Sequence, residues 1–102
     1  MKYKTLWTPQ PEAFIKSLAP DPRQEIRRAI KQLGAGKTAG LDLRMLEGQL
    51  QGYMRFRIRT YRVVYSVSTP TSGPTITLVA AGPRSTIYET VERLLAEQMG
   101  NL

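Results

Sequence analysis

The stretch from Gly52 to Val67, GYMRFRIRTYRVVYSV, most constrains what this chain can fold into. Met54, Phe56 and Ile58 alternate with Tyr53, Arg55, Arg57 and Arg59. Successive side chains of a strand point to opposite faces, so one face is apolar and the other carries a row of guanidinium groups. Tyr61-Arg62-Val63-Val64-Tyr65 reads as the returning strand. With Arg59-Thr60 as the turn, Ile58 faces Tyr61, Arg57 faces Arg62, Phe56 faces Val63 and Met54 faces Tyr65. The apolar pairs then share one side of the hairpin, and Arg57 and Arg62 meet on the other. Like charges directly opposite each other destabilise a sheet. The pattern therefore points to an anion as the occupant of this face. Arg59-Thr60 matches the type I′ turn of a two-residue hairpin poorly, so a longer or bulged turn is the alternative.

The charge balance agrees with an anionic partner. Lys+Arg 15 against Asp+Glu 8 leaves +7 on 102 residues, a length that fits one domain spanning 1–102. Such an excess suggests nucleic acid, a ribosome or an acidic protein. The chain has no Cys and no His. This excludes disulfides, thiolate metal sites and histidine-based catalysis, and no metal or other cofactor is expected. No apolar run approaches the ~20 residues of a membrane span, and MKYKTLWTPQ lacks the apolar core of a signal peptide. A cytoplasmic location without a membrane partner is the expectation.

The remaining elements follow from local signals. Tyr3 to Trp7 is rich in strand formers. Thr8-Pro9 reads as a helix start, with Phe14, Ile15 and Leu18 on its buried face. Asp21-Pro22 reads as a second start, with Gln24 closing a capping box. Ile26, Ala29, Ile30 and Leu33 follow at helical spacing until Gly34, with Arg23, Arg27, Arg28 and Lys31 towards the other side. GAGKTAG is a flexible loop and lacks the Walker spacing. Leu41, Leu43, Leu46 and Leu50 pin the next segment to the core. Thr75 to Ala81 is a third hairpin-sheet strand, with Ile76, Leu78 and Ala80 on one side. Thr86 and Glu89 spell a capping box for a last helix whose apolar face is Ile87, Val91, Leu94, Leu95 and Met99, with Gly100 closing it. The order β-α-α-β-β-β-α describes an α+β fold, a helical hairpin packed on a small, largely antiparallel sheet.

This order, with Leu46-Glu47-Gly48, Gly52-Tyr53, Arg55-Phe56-Arg57-Ile58, Tyr61-Arg62-Val63-Val64-Tyr65 and Gly82-Pro83-Arg84-Ser85-Thr86-Ile87-Tyr88, resembles the RelE/ParE superfamily of bacterial toxins. The resemblance runs from about Tyr3 to Tyr88. It implies a toxin of a toxin–antitoxin pair, with a cognate antitoxin protein as partner. Its RelE-like branch implies a ribosome-dependent mRNA endoribonuclease (an mRNA interferase) that inhibits translation, with mRNA and ribosome as further partners. In that branch a ribose 2′-OH attacks the adjacent phosphodiester. By position the resemblance implies Arg55, Arg57, Arg62, Arg84 and Tyr88 as catalytic; Tyr53 and Arg59 are further candidates for contact with substrate. Some relatives carry a lysine on the first hairpin strand that serves as general base. Both positions are arginine here, so the base is unassigned, with Glu47 and Glu89 the nearest carboxylates in sequence. The alternatives are a ParE-like non-nuclease that poisons DNA gyrase and a basic binding domain without activity.

Overall fold

A computed structural model of the protein describes residues 2–100, without the side chains of 99 and 100. The elements run β1 (Lys4–Trp7), α1 (Pro9–Lys16), α2 (Pro20–Gly34), β2 (Asp42–Met45), a 3₁₀ turn (Gly48–Leu50), β3 (Tyr53–Ile58), β4 (Tyr61–Ser68), β5 (Thr75–Pro83) and α3 (Ile87–Gly100). Five strands form one sheet in the order β1-β5-β4-β3-β2. Only the β1–β5 pair is parallel. The α+β class and the helical hairpin on a largely antiparallel sheet hold, and the order gains one strand, β2.

The hairpin register is the one the alternation requires. Ile58 pairs with Tyr61, Arg57 with Arg62, Phe56 with Val63 and Met54 with Tyr65. The turn is Arg59-Thr60, with Arg59 at φ 53, the only non-glycine residue at positive φ among those described. Burial explains why the register tolerates the arginine pair. Phe56, Val63 and Val64 are fully buried on these two strands. Each contributes about 1.5–3 kcal/mol, against a cross-strand repulsion of about 1 kcal/mol or less.

The two faces of the sheet carry separate cores. On one, Phe56, Val63, Tyr65, Ile76 and Leu78 pack under Ile15 of α1 and Ile26, Ile30 and Leu33 of α2. On the other, Val64 and Ala80 pack under Ile87 and Val91 of α3, with Leu46 and Leu50 beside them. The leucine series therefore divides. Leu41 and Leu43 serve the first core, Leu46 and Leu50 the second. Leu94 and Leu95 line α3 as expected, and the Met99 side chain lies outside the described residues.

A bulge in β5 corrects the expected phase of that strand. Val64 pairs with Ala80 and Tyr65 with Leu78, so Val79 is an extra residue. Ile76 and Leu78 stay on the α1/α2 face, while Ala80 turns to α3.

The helix starts also differ in detail. Thr8 stands at the N-cap of α1, but its hydroxyl donates to the Leu78 carbonyl at 2.7 Å and so ties helix to sheet. Helix α2 begins at Pro20 with Ala19 as N-cap. Asp21 therefore lies inside the first turn, where its charge favours the helix dipole rather than capping a backbone N–H. At α3 the Thr86 carbonyl accepts from the Thr90 N–H and hydroxyl, and no capping box with Glu89 forms among the described residues.

Candidate functional site

Asp42, Arg57, Arg62 and Gly82 form one lateral row across β2, β3, β4 and β5. Neighbouring strands lie about 4.8 Å apart, so this row places two guanidinium groups side by side. Arg44, Arg55, Val64 and Ala80 form the next row on the same face. Helix α3 covers the Val64–Ala80 end of that face. Its first turn stops beside Gly82, whose Cα would carry a Cβ 3.6 Å from Ile87 Cδ1. The β2–β3 end is left to the arginines.

Arg62 is the centre of the group. It is only 7% exposed. Its Nη1 donates to the carbonyls of Tyr61 at 2.9 Å and Arg59 at 3.3 Å. No carboxylate lies within ion-pairing distance of it among the described residues. Burial, then the charges of Arg57, Arg55 and Arg84, push its pKa below the ordinary arginine value, and Tyr88 acts in the opposite direction. An arginine still stays protonated in a protein. The physical content is a buried cation whose neighbours repel it, which an incoming anion would relieve.

The others surround it in different states. Arg57 is exposed. Arg55 is 8% exposed, and its Nη1 meets Asp42 Oδ1 at 3.2 Å and the Asp42 carbonyl at 3.3 Å. Arg84 follows β5, and its backbone N–H donates to the Thr60 carbonyl at 2.8 Å. That bond tucks the chain against the hairpin turn. Tyr88, in the first turn of α3, is 42% exposed next to the fully buried Ile87, which fixes its position. Arg57, Arg55, Arg84 and Tyr88 all act on the charge of Arg62.

Two expected contact residues stand apart. The Arg59 guanidinium pairs with Glu25 of α2, on the other side of the sheet. Tyr53 lies at the opposite end of β3 from the turn and packs with the α3 core. Tyr53 lines a cleft of about 690 Å³ with Thr8, Ala13, Val79, Leu94 and Leu95. None of the clustered arginines borders that cleft. Glu47 is exposed before the 3₁₀ turn, and Glu89 is exposed on α3.

Asp42 is the residue that sequence reasoning missed. It is the one carboxylate ion-paired to an arginine of the cluster among the described residues. Its signal was the alternation of Leu41 and Leu43 with Asp42 and Arg44, which has strand period. Among the described residues no group of His, Cys, Asp and Glu is placed to hold a metal ion, and no helix is long and apolar enough to cross a membrane.

No protein-family model matches the sequence, and no curated protein matches it. Solved structures do. An archaeal RelE–RelB complex from Pyrococcus horikoshii OT3 contains a chain with TM-score 0.67 and 25% identity, covering 82% of this chain and 97% of that one. A RelB–RelE antitoxin–toxin complex from Methanococcus jannaschii matches with TM-score 0.66 and 21% identity, over 83% and 96% of the two chains. A YoeB/ParE toxin from Agrobacterium tumefaciens matches with TM-score 0.65 and 24% identity, over 78% and 97%. The fold is that of the RelE/ParE toxins.

Proposed function

We propose that this chain, folded as RelE/ParE toxins are, is the toxin of a toxin–antitoxin pair and cleaves mRNA in the ribosome as an endoribonuclease. The observation that carries the reading is the Arg57–Arg62 pair. Arg57 is exposed, Arg62 is buried beside it with no carboxylate partner among the described residues, and Arg55, Arg84 and Tyr88 all act on the Arg62 charge. A catalyst of phosphodiester cleavage needs fixed cationic donors where negative charge grows.

In this mechanism the ribose 2′-oxygen attacks the adjacent phosphorus and the P–O5′ bond breaks. The products are a 2′,3′-cyclic phosphate and a 5′-hydroxyl. The 2′ proton passes to solvent water as the bond forms, and water returns one to the departing 5′ oxygen. Arg57, Arg62 and Arg84 donate to the non-bridging oxygens, as planar guanidinium forks suit phosphate. Arg62 is pre-aimed by its two backbone acceptors. Arg55 is steadied by Asp42. Tyr88 stacks on an unpaired base. Asp42 is engaged with Arg55 and no histidine exists, so no residue is named as general base. Charge stabilisation and alignment of the 2′-OH carry the rate.

The partner is a cognate antitoxin. Two of the similar structures are antitoxin–toxin complexes, and a +7 chain attracts an acidic segment.

Primer extension on a reporter mRNA during translation in vitro tests the reading. The expected result is cleavage within codons that falls about 100-fold or more in Arg62→Ala, with circular dichroism confirming the fold. Intact mRNA with inhibited DNA supercoiling would replace this reading with a gyrase poison. Neither effect would leave a binding domain without toxin activity.

A further inference from the structure

The other side of the molecule carries cations that the arginine cluster does not use. Thr5 and Trp7 of the edge strand β1, with Tyr3 just before it, border one depression of about 460 Å³. Arg27 and Lys31 of α2 border it too. They are four residues apart, so they share a helix face. The same two residues border an adjoining depression of about 310 Å³ with Gln24 and Arg28. The concavity therefore continues along α2. Arg27, Arg28 and Lys31 are exposed, and none makes an ion pair among the described residues. Trp7 is 40% exposed beside them.

We propose that Trp7, Arg27 and Lys31 form a second site that binds single-stranded RNA, apart from the arginine cluster. A basic helix face alone is satisfied by water and salt. An exposed indole at the end of a basic trough fits a base stacked on the ring with its flanking phosphates neutralised. An acidic polypeptide would engage the cations but leave the indole without a stacking partner. The cluster lies on the sheet face under α3, while this trough lies along α2, which packs on the opposite face. The site thus holds a different stretch of RNA from the one the cluster would cut. That the strand is RNA rests on the ribonuclease reading; the stacking site itself does not.

Trp7 is the single tryptophan, so its fluorescence reports this site alone. The experiment titrates an eight-uridine RNA into the full chain without ribosomes. Quenching that saturates is expected. Two phosphate contacts predict that raising salt from 50 to 200 mM weakens binding about sevenfold. An Arg27→Ala/Lys31→Ala variant should lose roughly tenfold or more in affinity. Trp7→Ala, followed by anisotropy of labelled RNA, should bind at least fivefold more weakly. Arg62→Ala should quench as the parent does, even when it no longer cleaves mRNA. Absent quenching, quenching kept in Arg27→Ala/Lys31→Ala, or quenching lost in Arg62→Ala would overturn the site. Equal quenching by polyglutamate would assign the trough to an acidic protein. Tighter binding of eight-thymidine DNA would overturn RNA as the occupant.

Discussion

Arg57 and Arg62 are direct cross-strand partners on β3 and β4, and Arg62 is buried there without a carboxylate partner among the described residues. The sheet holds two like charges in register because the apolar pairs on its other face fix that register. Under the proposed function, this arrangement trades stability for a place where a bound phosphate would offset the repulsion. Arg57→Gln should therefore raise stability by about 0.2–1 kcal/mol in urea denaturation, while slowing mRNA cleavage tenfold or more. Unchanged or lower stability would mean that solvent already screens the pair.

The lowered pKa of Arg62 has a defined sign. A cation whose pKa falls on folding costs stability at every pH below the folded value, and the cost lifts only as pH rises through it. That window lies in strong alkali. At neutral pH the lever is an anion instead. Phosphate or a short polyphosphate should raise the melting temperature of the parent, and do so less in Arg62→Ala, as read by thermal scans at matched ionic strength.

The buried Tyr65 phenol carries a second pH dependence. Burial raises its phenol above the ordinary tyrosine value. The neutral phenol is favoured in the folded state, so stability is intact below about pH 10 and falls as pH rises above it. The loss approaches about 1.4 kcal/mol per pH unit until the folded phenol itself ionises. Tyr65→Phe should match the parent at pH 7 and lose less above pH 10. Denaturation midpoints across pH 8–11 check this.

Asp42 restrains Arg55 across a half-exposed ion pair. Asp42→Ala should cost at most about 1 kcal/mol in stability. It frees one guanidinium, so RNA affinity should rise and its salt dependence steepen by about 0.7 in log–log slope. Filter binding over a salt series measures both. Weaker binding would show that Arg55 needs Asp42 to be aimed.

Arg59 occupies the left-handed region at φ 53 while its side chain pairs with Glu25. Arg59→Gly removes a backbone cost of about 1–2 kcal/mol and an exposed pair worth about 0–1 kcal/mol. Net stabilisation of about 0–2 kcal/mol is expected, with cleavage within about twofold of the parent. A tenfold loss of cleavage would return Arg59 to the substrate.

The strand period alone decided the centre of this protein. Apolar and arginine residues alternate from Met54 to Ile58 and again from Tyr61 to Val63, and only one register buries the first set, so the Arg57–Arg62 pairing is legible in the sequence. Helix existence was legible for the same reason, through apolar residues at period 3.6. Tertiary structure decided what those periods cannot encode. Strand β2 is four residues long and holds through its pairing with β3, so Asp42 surfaced as an arginine partner only in the sheet. Val79 bulges because Ala80 must face α3 while Leu78 faces α1, a demand set by two cores at once. Arg59 left the arginine row because Glu25, thirty-four residues away in sequence, is its neighbour in space. The row of arginines between Gly52 and Val67 is thus a local property of the chain. Which of them stand free, which are pinned, and what closes the end of their face are long-range packing outcomes.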